Sequence, residues 1–384
     1  MKNKNILIIS PSFRKWWWAE KVAADIWNKL HEAWYNVFFL SFQQDHEIQK
    51  LKEKLINFNQ PKNIFFKILS IFINPFKINK IVKKYNINII ISHTERANFI
   101  NWFIKKLNPA VKTIWVVHNY EYLNHWFNKF FIKITYPQLD KIVCVSKKIE
   151  KELQNKFNLQ QTTTIYNWLD FNKIDKLLTQ QIPPQDETYF KENEITFINI
   201  GRLVKQKGQK YLIQAFSKLQ KDYPQTKLII LGEWPLRKEL EKLINNLKLK
   251  DKVFLLWQKD NVYPYLKNSN CFVFSSLWEW FGLVLVEALY AWLPVISTDC
   301  NAWPREILVP DINLDTKLNY NYQTEHWLLV KPIEKLNDID YLYQWMKDFI
   351  KWKLKPNPEV KKYLQSTFDK KIVFEKWLKI LESK

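Results

Sequence analysis

The chain has 384 residues, of which 47% are apolar and 25% charged, and its formal net charge is +21. About 150 residues per domain predicts two or three domains, and this composition excludes an intrinsically disordered chain. No uncharged stretch is long enough for a membrane-spanning helix, and the apolar run at residues 6–9 is too short for a signal-peptide core.

Cysteine usage bears on the compartment. Cys144, Cys271 and Cys300 are far apart and odd in number, so they predict neither a disulfide framework nor a cysteine zinc site. We therefore expect a reducing, cytoplasmic location.

The first half of the chain alternates short apolar runs with amphipathic stretches. A helix is predicted at residues 19–33, and strands are predicted at residues 5–10, 36–41, 87–92, 113–117 and 141–146. Continuous apolar strands separated by helices are typical of a parallel sheet covered on both faces.

A polar segment with two prolines, residues 180–194, predicts a domain boundary, after which the rhythm restarts. Strands are then predicted at 195–200, 227–231, 253–256, 271–275 and 294–297, and helices at 208–221, 235–247, 262–268 and 283–291. The sequence therefore predicts an α/β protein of two doubly wound, Rossmann-like domains. These are residues 1–185 and 186–357, followed by a basic helical tail, 358–384, that crosses back to the first domain.

Residues 201–208 (GRLVKQKG) directly follow a predicted strand. Glycines in such a turn let backbone N–H groups approach an anion at a helix N-terminus. Arg202 adds a planar guanidinium with several N–H donors, and Lys207 adds a movable point charge. Both groups are suited to binding phosphate. The alternative is a solvated basic loop.

Two carboxylates follow the strand predicted at 271–275. Glu279 falls in the loop at the carboxyl edge of the sheet, where ligands bind in open α/β folds. Glu287 falls in an apolar helix, where a carboxylate needs a hydrogen-bond donor such as a sugar hydroxyl. The alternative is a carboxylate that caps the helix start.

The order of these motifs resembles the retaining nucleotide-sugar glycosyltransferases of family 4, which have the two-domain GT-B fold. Further matching segments are 165–170 (IYNWLD), 232–236 (GEWPL) and 293–297 (LPVIS). Residues 304–308 (PREIL) are similar to a motif of the subgroups that act on lipid-linked or polysaccharide acceptors.

The resemblance implies an enzyme that moves a sugar from a nucleotide-sugar, most often a UDP-sugar, to a glycan or lipid-linked acceptor in cell-surface polysaccharide or lipopolysaccharide synthesis. The active site would lie in the cleft between the domains, with the donor on the second domain and the acceptor on the first. Arg202 and Lys207 would neutralise the donor diphosphate, Glu279 would lie beside the transferred sugar, and His118 would contact it. The remaining donor-binding residues it implies are Gly201, Trp257, Asn261, Val262, Phe281, Gly282, Leu283 and Glu287, with Trp16 and Trp17 after the first strand. No cofactor or metal is expected, since no Asp-x-Asp pair is placed for a metal and two cations with a helix N-terminus can hold the diphosphate.

Tryptophan stands at many positions where this family has glycine. The chain has 4 Gly and 19 Trp, whereas ordinary usage gives roughly 27 Gly. The positions concerned are Trp16, Trp17, Trp18, Trp34, Trp168, Trp234, Trp257, Trp280, Trp292, Trp303 and Trp327, with Trp27 and Trp126 as further candidates. Our hypothesis is that a UGA codon meaning Gly was read as Trp. The alternative is a tryptophan-rich, decayed or engineered transferase.

The high net positive charge is also compatible with other functional classes of protein. Residues 62–85 mix aromatics, aliphatics and lysines, which suits a helix on an anionic membrane surface or an ordinary domain helix. A nucleic-acid binder without transferase activity would share the net charge, but the carboxylates have no role in it and we expect no nucleic-acid partner. A dinucleotide oxidoreductase is disfavoured because no GxGxxG motif is present.

Overall fold

The structure is a computed structural model. It describes residues 4–10, 18–42, 55–58, 63–118, 126–190, 193–279, 281–300, 303–309, 314, 322–323, 327–330, 332, 338–352 and 358–383. The chain divides into two compact units, Met1–Asn167 with Lys371–Lys384, and Trp168–Lys370.

The first unit is built on a parallel sheet with strand order β3-β2-β1-β4-β5-β6-β7. Its strands are β1 (Asn5–Ser10), β2 (Asn36–Ser41), β3 (Leu55–Asn57), β4 (Ile89–His93), β5 (Lys112–Val117), β6 (Lys141–Cys144) and β7 (Thr162–Thr164). Its helices are α1 (Trp18–Glu32), α2 (Ile64–Lys84), α3 (Glu95–Leu107), α4 (Trp126–Thr135) and α5 (Lys147–Phe157).

The second unit begins with α6 (Phe171–Leu178) and α7 (Pro184–Glu187), and its sheet has strand order β10-β9-β8-β11-β12-β14-β13, with only β13 antiparallel to its neighbour. The strands are β8 (Ile195–Ile200), β9 (Thr226–Leu231), β10 (Val253–Leu256), β11 (Cys271–Phe274), β12 (Val295–Thr298), β13 (Tyr322–Gln323) and β14 (Trp327–Val330). The helices are α8 (Gln209–Asp222), α9 (Arg237–Asn246), α10 (Tyr263–Lys267), α11 (Leu283–Tyr290), α12 (Trp303–Leu308), α13 (Ile339–Trp352) and α14 (Pro358–Phe368).

The strands form because their apolar runs are buried on both faces, as the inner strands of a covered parallel sheet must be. Residues 6–10 of β1 are all buried, and so are all six residues of β9. The predicted α/β class with two Rossmann-like sheets is confirmed.

The tail is two helices, α14 and α15 (Lys370–Glu382). Residues 371–384 group with the first unit. There the ammonium groups of two lysines donate to carbonyls at the end of α15, Lys4 to Leu381 and Lys112 to Ile380, each at 2.7 Å. Cations are also stabilised at a helix C-terminus, because the helix macrodipole is negative at that end.

Two tryptophans occupy backbone positions that favour glycine. Trp34 follows α1 with φ 65°, and Trp292 follows α11 with φ 64°. In each case the next residue's N–H donates to a carbonyl five residues back, Tyr35 to Leu30 at 3.0 Å and Leu293 to Ala288 at 3.1 Å. This is the Schellman motif, whose left-handed residue is usually Gly. The two positions therefore carry the backbone signature that the misread-codon hypothesis requires.

Other tryptophans behave differently. Trp27, a further candidate for that hypothesis, is buried, stacks on His31, and donates from its indole nitrogen to the Val37 carbonyl at 3.3 Å. Trp27 does not have a positive φ, so the backbone gives it no glycine signature, and its place in the hypothesis stays a prediction. Among the described residues, no helix is both long enough and apolar enough to cross a bilayer.

Candidate active site

Two loops meet at the carboxyl ends of the adjacent strands β8 and β11. Gly208 has φ 65°, and a Cβ there would lie 2.0 Å from the Ser275 carbonyl oxygen. The Ser275 hydroxyl donates to the Lys207 carbonyl at 2.9 Å, and the Leu277 N–H donates to the Gln206 carbonyl at 2.7 Å. The loop at 201–208 is thus held against the loop at 275–279, and only glycine fits the contact point.

Lys207 and Glu279 form an ion pair across these loops. The Lys207 side chain is 16% exposed and that of Glu279 only 5%. The Ser276 hydroxyl donates to the same carboxylate at 3.0 Å, and the Gln206 amide donates to its second oxygen at 3.4 Å. The buried carboxylate is therefore satisfied by protein groups, as a buried charge must be.

Arg202 differs from Lys207. Its side chain is exposed, and within the described part of the chain it has no ion pair or hydrogen bond. Its backbone is fixed, because the buried Gln209 amide donates to its carbonyl at 3.0 Å. The loop therefore presents one guanidinium to solvent on an ordered backbone and holds one ammonium on a carboxylate.

Glu287 lies in α11, half-buried, and accepts a hydrogen bond from the Tyr263 hydroxyl at 3.0 Å. Burial, and secondarily Glu287, raises the pKa of Tyr263 above its usual value. Tyr263 of α10 therefore supplies this carboxylate with a hydrogen-bond donor from the protein itself. The hydrogen bond also orients the carboxylate.

The N-terminus of α11 is closely packed. A Cβ on Gly282 would lie 2.8 Å from the Phe274 ring and 3.3 Å from the Trp303 indole nitrogen. Phe281 packs on Trp303 with ring centroids 4.0 Å apart. Phe281, Gly282 and Leu283 are thus fixed at the start of α11, whose first N–H groups carry positive partial charge.

The residues that the resemblance assigns to the base, Trp257, Asn261 and Val262, precede α10. Trp257 is 53% exposed and lies under the Arg237 guanidinium, 4.2 Å from its ring centre. Asn261 uses its amide internally: it donates to the Leu177 carbonyl at 3.0 Å and accepts from the Tyr263 N–H at 3.0 Å. The Asn261 side chain therefore stabilises the start of α10. If Asn261 contacts the base, we expect it to do so through its backbone.

In the first unit, His118 follows β5 and its Nε2 lies 2.9 Å from Nδ1 of His93, the last residue of β4. The rings are stacked with centroids 5.2 Å apart. Burial lowers the pKa of His118 from 6.5 to about 4, and burial followed by His118 holds the pKa of His93 well below 6.5. Trp16 and Trp17 lie outside the described residues.

Sequence reasoning missed two of these side chains. His93 carries no motif signal in the sequence, although β4 and β5 are neighbours whose carboxyl ends meet at one edge. Tyr263 carried no motif signal, and only the fold brings it to Glu287. The described residues contain no cluster of three or more His, Cys, Asp or Glu side chains arranged for a metal ion.

Comparison with known families matches both halves. Residues 19–173 match Glycosyltransferase Family 4, and residues 183–317 match Glycosyl transferases group 1. Residues 174–182 separate the two matches, and most of the polar segment at 180–194 lies inside the second match.

Individual proteins agree with the family match. An uncharacterized glycosyltransferase of Methanocaldococcus jannaschii is 35% identical over 329 residues, 81% of this chain and 81% of the relative. The Campylobacter jejuni N-acetylgalactosamine-N,N'-diacetylbacillosaminyl-diphospho-undecaprenol 4-alpha-N-acetylgalactosaminyltransferase is 28% identical over 276 residues, 69% of this chain and 73% of the relative. The crystal structure of Anabaena HepE in complex with UDP and glucose has a TM-score of 0.74 at 18% identity, covering 99% of this chain and 100% of that chain.

Proposed function

This chain belongs to glycosyltransferase family 4 and is a glycosyltransferase with the GT-B fold, and from that premise we propose that it transfers a sugar with retention from a UDP-sugar to a lipid-linked glycan. The Campylobacter relative is named for a diphospho-undecaprenol acceptor, which supports the acceptor class. The HepE structure holds UDP, which supports the donor class.

The observation that carries the proposal is the fixed loop pair at the carboxyl ends of β8 and β11. Transfer needs a group that stabilises the departing diphosphate. Arg202 is exposed on an ordered backbone, and Lys207 stands beside it in the loop with its charge held by Glu279. In the proposal Arg202 meets the diphosphate directly, and Lys207 turns from Glu279 towards it when the donor binds.

The neighbouring elements have matching roles. The start of α11 directs backbone N–H groups at the same anion. Glu287, oriented by the Tyr263 hydroxyl, accepts hydrogen bonds from the ribose hydroxyls. In the same proposal Glu279 lies beside the transferred sugar, and His118 contacts that sugar.

A donor screen tests the proposal. The chain is incubated with UDP-, GDP-, ADP- and TDP-sugars, and release of the nucleoside diphosphate is measured with and without a polyprenyl-diphosphate glycan. A second preparation carries Gly at the hypothesised misread positions of the ligand loops, Trp16, Trp17, Trp18, Trp257 and Trp280. We expect UDP release that rises with the acceptor. Failure of both preparations to release any nucleoside diphosphate would overturn the proposal.

A peripheral membrane site in the first unit would bring the enzyme to a lipid-linked acceptor. Aromatic side chains of α2, α3 and α4 form a continuous series: Phe76 contacts Phe103 (5.2 Å between centroids), Phe103 contacts Phe99 (6.4 Å), and Phe99 contacts Phe131 (5.7 Å). We call these four residues the aromatic series.

Exposed apolar side chains and lysines occur on the outer helices of this series. Phe76 is 53% exposed and Phe130 is 63% exposed, well above the usual level for phenylalanine. The exposed lysines of the same helices are Lys77, Lys80, Lys83 and Lys84 on α2, and Lys129 and Lys133 on α4. Exposed aromatics among lysines suit an anionic lipid surface.

Flotation with anionic vesicles tests this part. Phe76→Ser with Phe130→Ser should reduce flotation of the full chain, and added salt should reduce flotation of the wild type. The matched control is Trp352→Ser, which removes a 45% exposed aromatic from α13 in the second unit. Equal flotation of all variants would contradict the membrane site.

A further inference from the structure

The histidine pair of the first unit is a defined hydrogen bond between two neutral rings. His93 is fully buried at the end of β4, and its Nδ1 lies 2.9 Å from Nε2 of His118. Both pKa values are lowered by burial. A nitrogen–nitrogen distance of this length requires one N–H donor and one bare acceptor, so the pair fixes the tautomers of both rings together.

The remaining nitrogen of His93 decides between the two arrangements. Its Nε2 is buried and has no hydrogen-bond partner in the described part of the chain. A buried N–H without an acceptor is rarer than an acceptor without a donor. His93 therefore carries its proton on Nδ1 and donates it to His118, whose own proton is then on Nδ1.

The backbone around His93 is held by independent contacts. The Ser92 hydroxyl donates to the Asn98 side-chain oxygen at 2.8 Å, and the Asn101 amide donates to Ser92 at 2.9 Å, which ties β4 to α3 through buried polar groups. Thr94, the next residue after His93, has φ 73° and ψ 164°. That region is nearly confined to glycine, so a threonine stays in it only where the surrounding structure enforces the conformation.

We infer that His93 is a positioning residue that holds His118 in one ring orientation and in the Nδ1–H tautomer. This inference rests on the proposed function, in which His118 contacts the donor sugar. His118 would then offer the sugar an N–H donor rather than a basic nitrogen. A hydrogen bond from a fixed, neutral ring needs no proton rearrangement during transfer.

Three side chains of similar branching at position 93 test the inference in the full chain. Asn places an amide close to the position of Nδ1 and can donate to His118, whereas Leu has the same branching without a donor. The first readout is the ¹⁵N spectrum of His118, which distinguishes the tautomers and needs no activity. The second is kcat and KM for the donor.

We expect the Nδ1–H tautomer at His118 in the wild type and in His93→Asn, and a mixture of tautomers in His93→Leu. Loss of a residue that orients a functional histidine costs roughly 10–100-fold in activity. The kcat of His93→Leu should therefore fall by roughly 10–100-fold, with little change in UDP affinity. The kcat of His93→Asn should stay close to that of the wild type.

The failure modes are distinct. A His118 protonated at Nε2 in the wild type overturns the inference even if His93→Leu does not fold, and so does a His93→Leu protein that keeps the single Nδ1–H tautomer. If no sugar is transferred by any preparation, the proposed function falls while the spectrum still decides the tautomer.

Discussion

Lys207 and Glu279 form a buried ion pair that joins the loop after β8 to the loop after β11. The contact is reinforced because Ser276 donates to the same carboxylate oxygen. Two groups that the family resemblance assigns to donor binding therefore form an ion pair with each other. Donor binding in the proposed site must then compete with Glu279 for the Lys207 charge.

Breaking this pair from one side should be costly. Lys207→Ala leaves a buried carboxylate without its cation and should lower the free energy of unfolding by about 3–5 kcal/mol. Glu279→Gln in the same chain removes the unpaired charge and should recover much of that loss in urea unfolding. The double variant should stay inactive in donor hydrolysis. A double variant no more stable than Lys207→Ala would show that charge pairing is not the cause.

Tyr263→Phe removes the donor to Glu287 with little change in shape. Loss of this hydrogen bond to a charged group should cost about 1.5–3 kcal/mol of stability, and KM for the donor should rise because the carboxylate loses one of the contacts that orient it. The matched control is Tyr290→Phe, which removes a hydroxyl that donates to Asp175 at 3.0 Å in the same unit. The control should lose stability without raising KM. An equal KM for the donor in both variants would contradict the proposed binding of the ribose by Glu287.

Trp34→Gly should stabilise the chain. A left-handed residue other than Gly costs roughly 1–2 kcal/mol, and Trp34 is 74% exposed, so little packing is lost. Trp292→Gly should gain less, because Lys361 lies over its ring at 5.2 Å, a contact that contributes roughly 0.5–1 kcal/mol. Thermal unfolding measures both.

The control for these variants is Trp377→Gly, which empties a buried site in α15 and should destabilise by several kcal/mol, roughly the cost of large-to-small core substitutions. In the organism's own protein, mass spectrometry of the peptides that span positions 34 and 292 should find Gly. Tryptophan in those peptides would refute the misread-codon hypothesis.

Stability should fall in mild acid because of the histidine pair. The unfolded imidazoles bind protons near pH 6.5, whereas folded His118 stays neutral down to about pH 4. The unfolded state therefore binds more protons in that window, so the free energy of unfolding decreases as the pH falls through it. Each pKa unit corresponds to about 1.4 kcal/mol, which gives about 3 kcal/mol for His118.

The double variant His93→Asn with His118→Asn should flatten this pH dependence in urea unfolding. His31→Asn, at an exposed position on α1, should leave it unchanged. A wild-type stability that stays constant from pH 6.5 to 4 would contradict the neutral, buried pair.

The sequence predicted the elements that carry long apolar runs. The strands predicted at 5–10, 36–41, 195–200 and 253–256 agree with the observed bounds of β1, β2, β8 and β10. The strands β3 and β7 were missed because they are three residues long, and β7 consists of three threonines without an apolar run. The short helix α7 lies inside the polar segment at 180–194, and the chain divides into its two compact units at Asn167–Trp168.

The site was predictable in its loops but not in its pairings. Motif order placed Arg202, Lys207 and Glu279 in loops at strand ends, because residues 201–208 and 275–279 directly follow apolar strands. The contacts Lys207–Glu279, Tyr263–Glu287 and His93–His118 join residues 72, 24 and 25 positions apart. No periodicity in the sequence encodes such distances, since they arise from which strands are neighbours.

The most direct test of the central claim is calorimetric titration of UDP into the wild type, Arg202→Ala and Lys210→Ala. Both positions carry an exposed cation, but only Arg202 lies in the loop after β8. Hydrogen bonds to a charged group contribute about 1.5–3 kcal/mol, so Arg202→Ala should weaken UDP binding by about tenfold or more, while Lys210→Ala should bind like the wild type. Equal affinity of all three proteins, or equal weakening by both substitutions, would contradict a diphosphate site at this loop.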